Sequence, residues 1–149
     1  MNEEGKLVRV LPEEAATLVR IAMRELVRPE FEAAHRLLLD AIDAYNAQPQ
    51  RPRDACANAF DAIESAGKVL AQVPSGTFGD VLKELQKGHA LASETLRMLE
   101  GLNTLRHNHF GHGMSEPFSL STHEVDFVYV SCIAAAMLFA RMWHGESAT

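Results

Sequence analysis

The chain has 149 residues, of which 47% are hydrophobic, and a formal net charge of -6 at pH 7. This length and apolar content suffice for one hydrophobic core without metals or disulfides, and two cysteines are too few for a small secreted disulfide scaffold. The negative charge disfavours a non-specific nucleic-acid coat, because the field of the whole molecule repels phosphate, so any nucleic acid must be bound locally.

Targeting and membrane signals point to a cytoplasmic protein. The acidic, polar start of the chain has neither the layout of a secretory signal nor that of a transit peptide. The apolar stretch 125–140 contains Asp126 and is shorter than about 18 uninterrupted apolar residues, so we expect a buried core helix and no membrane partner. Cys56 and Cys132 stand in apolar helical contexts and are expected to be free, buried thiols.

Apolar periodicity predicts helices from the N-terminal end onwards. The first begins near Pro12, and Pro29 ends or bends it before a second apolar stripe reaches Asn46. Two helices and one kinked helix both fit this pattern. After a proline-containing break, a third helix is predicted over 54–72.

A capping box predicts the start of the fourth helix. Thr77 is its N-cap and Asp80 the reciprocal partner, and leucines then continue the helical period to residue 105. Gly88 and Gly101 weaken this long helix, so a bend or split is expected there.

The last helix is predicted after a glycine-containing loop over 107–120. Ser121 and Glu124 form a second capping box, so the helix is expected over 122–144 with Gly145 as its stop. These patterns therefore predict an all-α fold. We expect one compact domain over 1–149, with about four to five helices in an antiparallel up-down core.

The segment 105–113, Leu-Arg-His-Asn-His-Phe-Gly-His-Gly, carries the least ordinary chemistry in the chain. As a metal site, His107, His109 and His112 offer imidazoles, but no distant fourth ligand is evident, so we predict neither a metal nor another cofactor. As structure, Arg106 would cap the carbonyls of its helix and the glycines would permit a positive φ.

As a catalytic site, the same segment suits phosphodiester cleavage. Arg106 supplies a fixed charge for the non-bridging oxygens, and a histidine moves a proton near neutral pH. RNA suits this scheme better than DNA, because its 2′-hydroxyl is an internal nucleophile.

Two motifs resemble the HEPN superfamily, in particular its abortive-infection C-terminal branch. HEPN ribonucleases carry an Arg, a polar residue, a short variable stretch and a His, which Arg106, His107 and His112 match. In this branch Asn directly follows the Arg, whereas here Asn108 stands one place later and the loop is slightly shorter. The stretch 62–68 is similar to the branch's Glu-Ser-x-x-Lys element, on a helix expected to pack against the motif. The resemblance covers roughly 33–143, leaving about residues 1–30 as an additional N-terminal helical segment.

The resemblance implies a metal-independent endoribonuclease, with a role in toxicity or phage defence. Arg106 would stabilise the scissile phosphate, His112 would act as general base or orient the 2′-hydroxyl, and His107 or Asn108 would position it. Supporting or phosphate-binding roles would fall to a further set: Glu64, Ser65, Lys68 and His109.

The same resemblance implies a homodimer with RNA as substrate, and an antitoxin or regulatory protein as a further partner. Two other functions stay open at this point. One is a non-catalytic HEPN-fold module that binds nucleotide, RNA or protein, and the other is a purely structural helical interaction protein. Glu64 and Lys68 also fit an ordinary i, i+4 ion pair on a solvated helix face.

Overall fold

The computed structural model describes residues 13–111 and 117–148, and for residues 146–148 the backbone alone. The described residues form six α-helices and no strand, which confirms the all-α prediction with a slightly higher helix count than expected. In chain order the helices are α1 (Glu13–Glu25), α2 (Glu32–Asn46), α3 (Pro52–Ala71), α4 (Phe78–Lys87), α5 (Ser93–Leu105) and α6 (Thr122–Ala148).

Pro29 divides α1 from α2, which settles the choice between two helices and one kinked helix. α1 already ends at Glu25, and Pro29–Phe31 form a single 3₁₀ turn before α2. Arg28 is extended, with φ -68° and ψ 150°, as expected for a residue that precedes proline. The turn places Phe31 in the core, in edge-to-face contact with Trp143.

The long fourth helix predicted over 77–105 is two helices in the structure. The Thr77 hydroxyl accepts a hydrogen bond from the Asp80 amide at 3.2 Å, and the Asp80 carboxylate accepts one from the Thr77 amide at 2.8 Å, so this predicted capping box is confirmed. α4 ends at Lys87 with Gly88 as its C-cap, and the next residue, His89, adopts a left-handed φ of 52°. Gly101, the other expected weak point, lies inside the uninterrupted α5.

The second capping box starts α6 as predicted, with Ser121 and Glu124 bonded reciprocally at 3.2 Å in each direction. The predicted stop at Gly145 is wrong, since α6 continues to Ala148. The helix is long and apolar enough over Thr122–Gly145 to cross a membrane, yet half of its most apolar stretch is buried inside the protein. Val128, Ile133 and Phe139 are among its buried side chains.

α2 runs antiparallel to α6, because Phe31 at its start meets Trp143 and Tyr45 near its end stacks on Tyr129 at 4.1 Å. The Tyr45 hydroxyl donates a short hydrogen bond to the Asp126 carboxylate at this end of the bundle. α3 packs between α2 and α6, and α4 lies against α3.

Both cysteines are free and buried, as predicted. Burial, reinforced by the negative charge of Asp126, raises the pKa of Cys56 to about 12. Burial likewise raises the pKa of Cys132 far above its usual range. Both thiols therefore stay protonated and unreactive near neutral pH.

Candidate functional site

The Arg- and His-rich segment begins as a helix and not as a loop. α5 passes directly into a π-helical turn over Arg106–Phe110, so the predicted loop from His107 is wrong for residues 107–110. Phe110 is 1% exposed and contacts the ring of Phe60 on α3 edge to face, with the centroids 6.4 Å apart. Burial of Phe110 therefore anchors the turn to α3.

Arg106 is enclosed by acidic and aromatic groups of α3. Its Nη2 lies 3.3 Å from Oδ1 of Asp61 and its Nη1 lies 3.6 Å from Oε2 of Glu64. The guanidinium carbon lies 5.0 Å from the centroid of the Phe60 ring, in cation–π geometry. The Arg106, Asp61 and Glu64 side chains are each about one-fifth exposed, so solvent still reaches the cluster while screening it less than at an open surface.

Glu64 connects this arginine to a second cation. The Lys68 Nζ lies 3.3 Å from Oε1 of Glu64, which is the i, i+4 pair expected from the sequence. Ser65 is partly buried one position beyond Glu64 on the same helix. The structure thus brings Arg106, Glu64 and Lys68 together, in agreement with the predicted packing of α3 against the motif.

The remaining candidate residues have different surroundings. His107 and Asn108 are exposed on the π turn and open to an incoming molecule. His109 is partly buried, and its Nδ1 lies 3.0 Å from the Ser119 hydroxyl, which ties the turn to the segment before α6. His112, the candidate base, lies outside the described residues, as does Gly113.

Sequence reasoning missed Asp61, although it makes the shorter of the two carboxylate contacts to Arg106. Asp61 and Glu64 are three residues apart and therefore share one face of α3. This three-residue spacing could have indicated Asp61 as a site residue, because an arginine that contacts Glu64 also comes within reach of a carboxylate one helical turn earlier.

The charges of the cluster balance. Asp61 and Glu64 carry two negative charges and Arg106 and Lys68 two positive ones, so the ionised cluster is formally neutral. A phosphate that reaches Arg106 must displace a carboxylate or share the guanidinium with it. Among residues 13–111 and 117–148, no three His, Cys, Asp or Glu side chains are arranged to hold a metal ion.

No protein-family profile, curated protein or solved structure matches the chain. The geometry around Arg106 and the motifs in the sequence therefore support the function proposed below.

Proposed function

We propose that this protein is a metal-independent endoribonuclease of the HEPN type, with a role in growth arrest or phage defence. The observation that supports the proposal is the contact of Arg106 with the Glu64–Lys68 pair. These residues come from two distant motifs that resemble the same family. Exposed His107 and Asn108 lie next to this contact on the π turn.

The proposed reaction needs only groups of the chain and of RNA. The 2′-oxygen loses its proton and attacks the adjacent phosphorus while the bond from phosphorus to the 5′-oxygen breaks, and the leaving 5′-oxygen takes a proton from solvent. The products are a 2′,3′-cyclic phosphate and a 5′-hydroxyl. Arg106 would neutralise the charge on the non-bridging oxygens. His112 would take the proton of the 2′-hydroxyl or orient that group, and His107 or Asn108 would hold it by hydrogen bonding.

Arg106 must change partners for this chemistry. In the structure its guanidinium faces Asp61 and Glu64, and a phosphate would compete with them for the same N–H groups. Lys68 also contacts Glu64, so its positive charge would remain beside this carboxylate when Arg106 binds the phosphate. We propose that substrate binding exchanges a carboxylate contact for a phosphate contact at Arg106.

The proposed setting is the cytoplasm, where RNA is the substrate and an antitoxin or regulatory protein restrains the activity. We also propose that the active form is a homodimer. Pairing two protomers would concentrate the few basic residues of an acidic chain around one substrate.

A second candidate function is a HEPN-fold module that binds RNA, nucleotide or protein without turnover. The observation that favours it is that two carboxylates already contact the Arg106 guanidinium in a formally neutral cluster. In that case Arg106 would mainly fix the π turn on α3, and recognition would depend on the exposed His107 and Asn108.

The test is cleavage of end-labelled transfer RNA and messenger RNA by the purified protein in excess chelator. Wild type is compared with Arg106→Ala and His112→Ala, and with Arg36→Ala as a control for loss of an exposed arginine on α2. The proposal expects cleavage by wild type and Arg36→Ala, a loss of about 100-fold or more in the other two variants, and cyclic phosphate ends.

Cleavage that persists in Arg106→Ala would reject this site as the catalytic centre. RNA that is retained by all variants but never cut would select the binding module. Circular dichroism of each variant would separate a lost fold from a lost activity.

A further inference from the structure

A groove with a volume of about 680 Å³ opens between α1 and the second half of α2. α1 packs on α6 and makes few contacts with α2, so a gap remains between the two helices. Four apolar side chains line this gap: Val19, Ile21, Met23 and Ile42. All four are only partly buried, so the α1/α2 groove presents a continuous apolar surface of the kind that marks an interaction site.

The described charged side chains that line the groove are both positive. Arg20 and Arg24 are exposed and stand one helical turn apart on α1. Arg20 donates a hydrogen bond to the Thr17 hydroxyl at 2.9 Å, and neither arginine forms an ion pair with another described residue. The exposed carboxylates of Glu14 and Asp43 lie outside the lining. In a chain with a formal charge of -6, the groove is therefore a local site for negative groups.

An apolar row and a basic row run side by side along α1, each at a spacing of four residues. The rows consist of Val19 and Met23, and of Arg20 and Arg24. Val27, which is 70% exposed, and the exposed Arg28 follow just beyond the end of the helix. Rows at this spacing are the ridges by which α-helices pack against one another. The matching occupant is an α-helix that carries its own apolar row with an acidic row beside it.

Other occupants fit this groove less well. An extended segment needs a strand edge for its backbone hydrogen bonds, whereas both walls of the groove are helices whose backbone groups are already paired. RNA would meet the two arginines, but none of the described lining residues is an aromatic ring on which a base could stack. A lipid bilayer presents a flat surface and would leave the floor of a groove uncovered.

We propose that the α1/α2 groove binds an acidic amphipathic helix of a partner protein. The apolar row of that helix covers Val19, Met23 and Ile42, and its carboxylates bind the two arginines. The inference does not rest on the proposed nuclease activity, because α1 packs on α6 whereas the contacts of Arg106 come from α3. Thirteen residues make α1 about 20 Å long, a length that about four turns of a partner helix would cover. A contact of this size is small for a specific interface, so we expect a dissociation constant of about 1–100 μM.

The test uses a labelled synthetic helical peptide of about 18 residues, with leucine at every fourth position, glutamate after each leucine, and alanine or glutamine elsewhere. Two matched peptides carry lysine in place of glutamate or serine in place of leucine. Fluorescence anisotropy with the full chain should show binding of the first peptide, and binding at least tenfold weaker for each of the other two.

A charge reversal in the protein should reverse this preference. Arg20→Glu/Arg24→Glu should bind the glutamate peptide at least tenfold more weakly than wild type does, and the lysine peptide more tightly. Arg36→Glu/Arg97→Glu is the matched control, because it makes the same change in net charge at two exposed arginines outside the groove, and it should bind like wild type. Circular dichroism of both variants would show whether the fold is retained.

Three results would overturn the proposal: no binding of the glutamate peptide up to about 1 mM, equal binding of all three peptides, or equal losses in the two double variants. Binding of single-stranded RNA or of phosphatidylglycerol vesicles that is lost only in Arg20→Glu/Arg24→Glu, with no peptide bound, would assign the groove to one of those ligands instead.

Discussion

Arg106 contacts two carboxylates and one aromatic ring. Its three contacts, with Asp61, Glu64 and the Phe60 ring, all come from α3. The aromatic contact leaves the guanidinium charge intact, whereas the carboxylates offset it. If Arg106 binds phosphate as proposed, the balance between these neighbours would control how strongly it does so.

Removing the charge of Asp61 should strengthen RNA binding. In Asp61→Asn the guanidinium loses one competitor and the cluster gains a formal charge of +1, so we expect affinity for single-stranded RNA to rise about threefold to tenfold, corresponding to roughly 0.7–1.4 kcal/mol. Filter binding or fluorescence anisotropy with a short labelled RNA would measure it.

Asp40→Asn is the control for that measurement, because it makes the same change in net charge at an exposed position on α2. Equal gains in both variants would trace the effect to the overall charge of the protein and not to Arg106. No gain in either would mean that RNA does not reach this arginine.

At the scale of helices, local sequence signals predicted some ends and missed others. Both capping boxes were predicted and are present, because the reciprocal bonds involve residues only three positions apart. The π turn was not predicted, because it depends on Phe110 packing against Phe60, which lies 50 residues earlier. Gly145 does not stop α6, since a glycine costs a helix only about 1 kcal/mol relative to alanine.

The contacts of the candidate site were likewise predictable from the sequence only in part. The nearness of Arg106 to Glu64 and Lys68 followed from two motifs that resemble one family, and their contact is seen. The contact with Asp61 depends on how far the arginine reaches across α3, which no motif encodes.

The capping carboxylates should make helix stability depend on pH in a defined direction. Hydrogen bonds from Ser121 hold the pKa of Glu124 below its ordinary value, and those from Thr77 do the same for the pKa of Asp80. A lowered folded-state pKa gives stability that is complete above the unfolded pKa, about 4, and is lost as pH falls through the folded value.

We therefore expect Asp80→Asn/Glu124→Gln to be less stable than wild type at pH 7, with a difference that shrinks towards pH 3. Urea unfolding followed by circular dichroism at several pH values would measure this. A difference that stays constant with pH would show that the carboxylate charges contribute nothing to the caps.

Two glycines inside helices should respond in opposite ways to the same substitution. A Cβ at Gly67 on α3 would lie 2.9 Å from Val81 Cγ1 and 3.1 Å from Phe139 Cε2, so Gly67→Ala should cost about 1–3 kcal/mol of unfolding free energy. At Gly101 the space is open, and Gly101→Ala should stabilise by about 0.5–1 kcal/mol. Denaturant titrations would test both, and a loss of stability in Gly101→Ala would contradict the open space beside Gly101.

At the scale of the whole molecule, a formal charge of -6 restricts how RNA can be held. The overall field opposes approach, so any binding must come from a few local contacts around Arg106 and Lys68. We expect log affinity for single-stranded RNA to fall with log salt with a slope of about -1 to -2, since each phosphate contact contributes about 0.7. A much steeper slope, measured by anisotropy across salt concentrations, would indicate an extended basic surface elsewhere.

The π turn over Arg106–Phe110 accommodates one residue more than an α-helical turn does, so it can be regarded as an insertion that the helix absorbs instead of looping out. Deleting one exposed residue, His107 or Asn108, would return the segment to α-helical register. Phe110 would then keep its direction towards Phe60, whereas an α-helical turn formed without a deletion would rotate Phe110 by ~100° about the helix axis. The π turn is therefore a position at which loss of one exposed residue should preserve the packing of Phe110 on Phe60, although it would remove a candidate site residue.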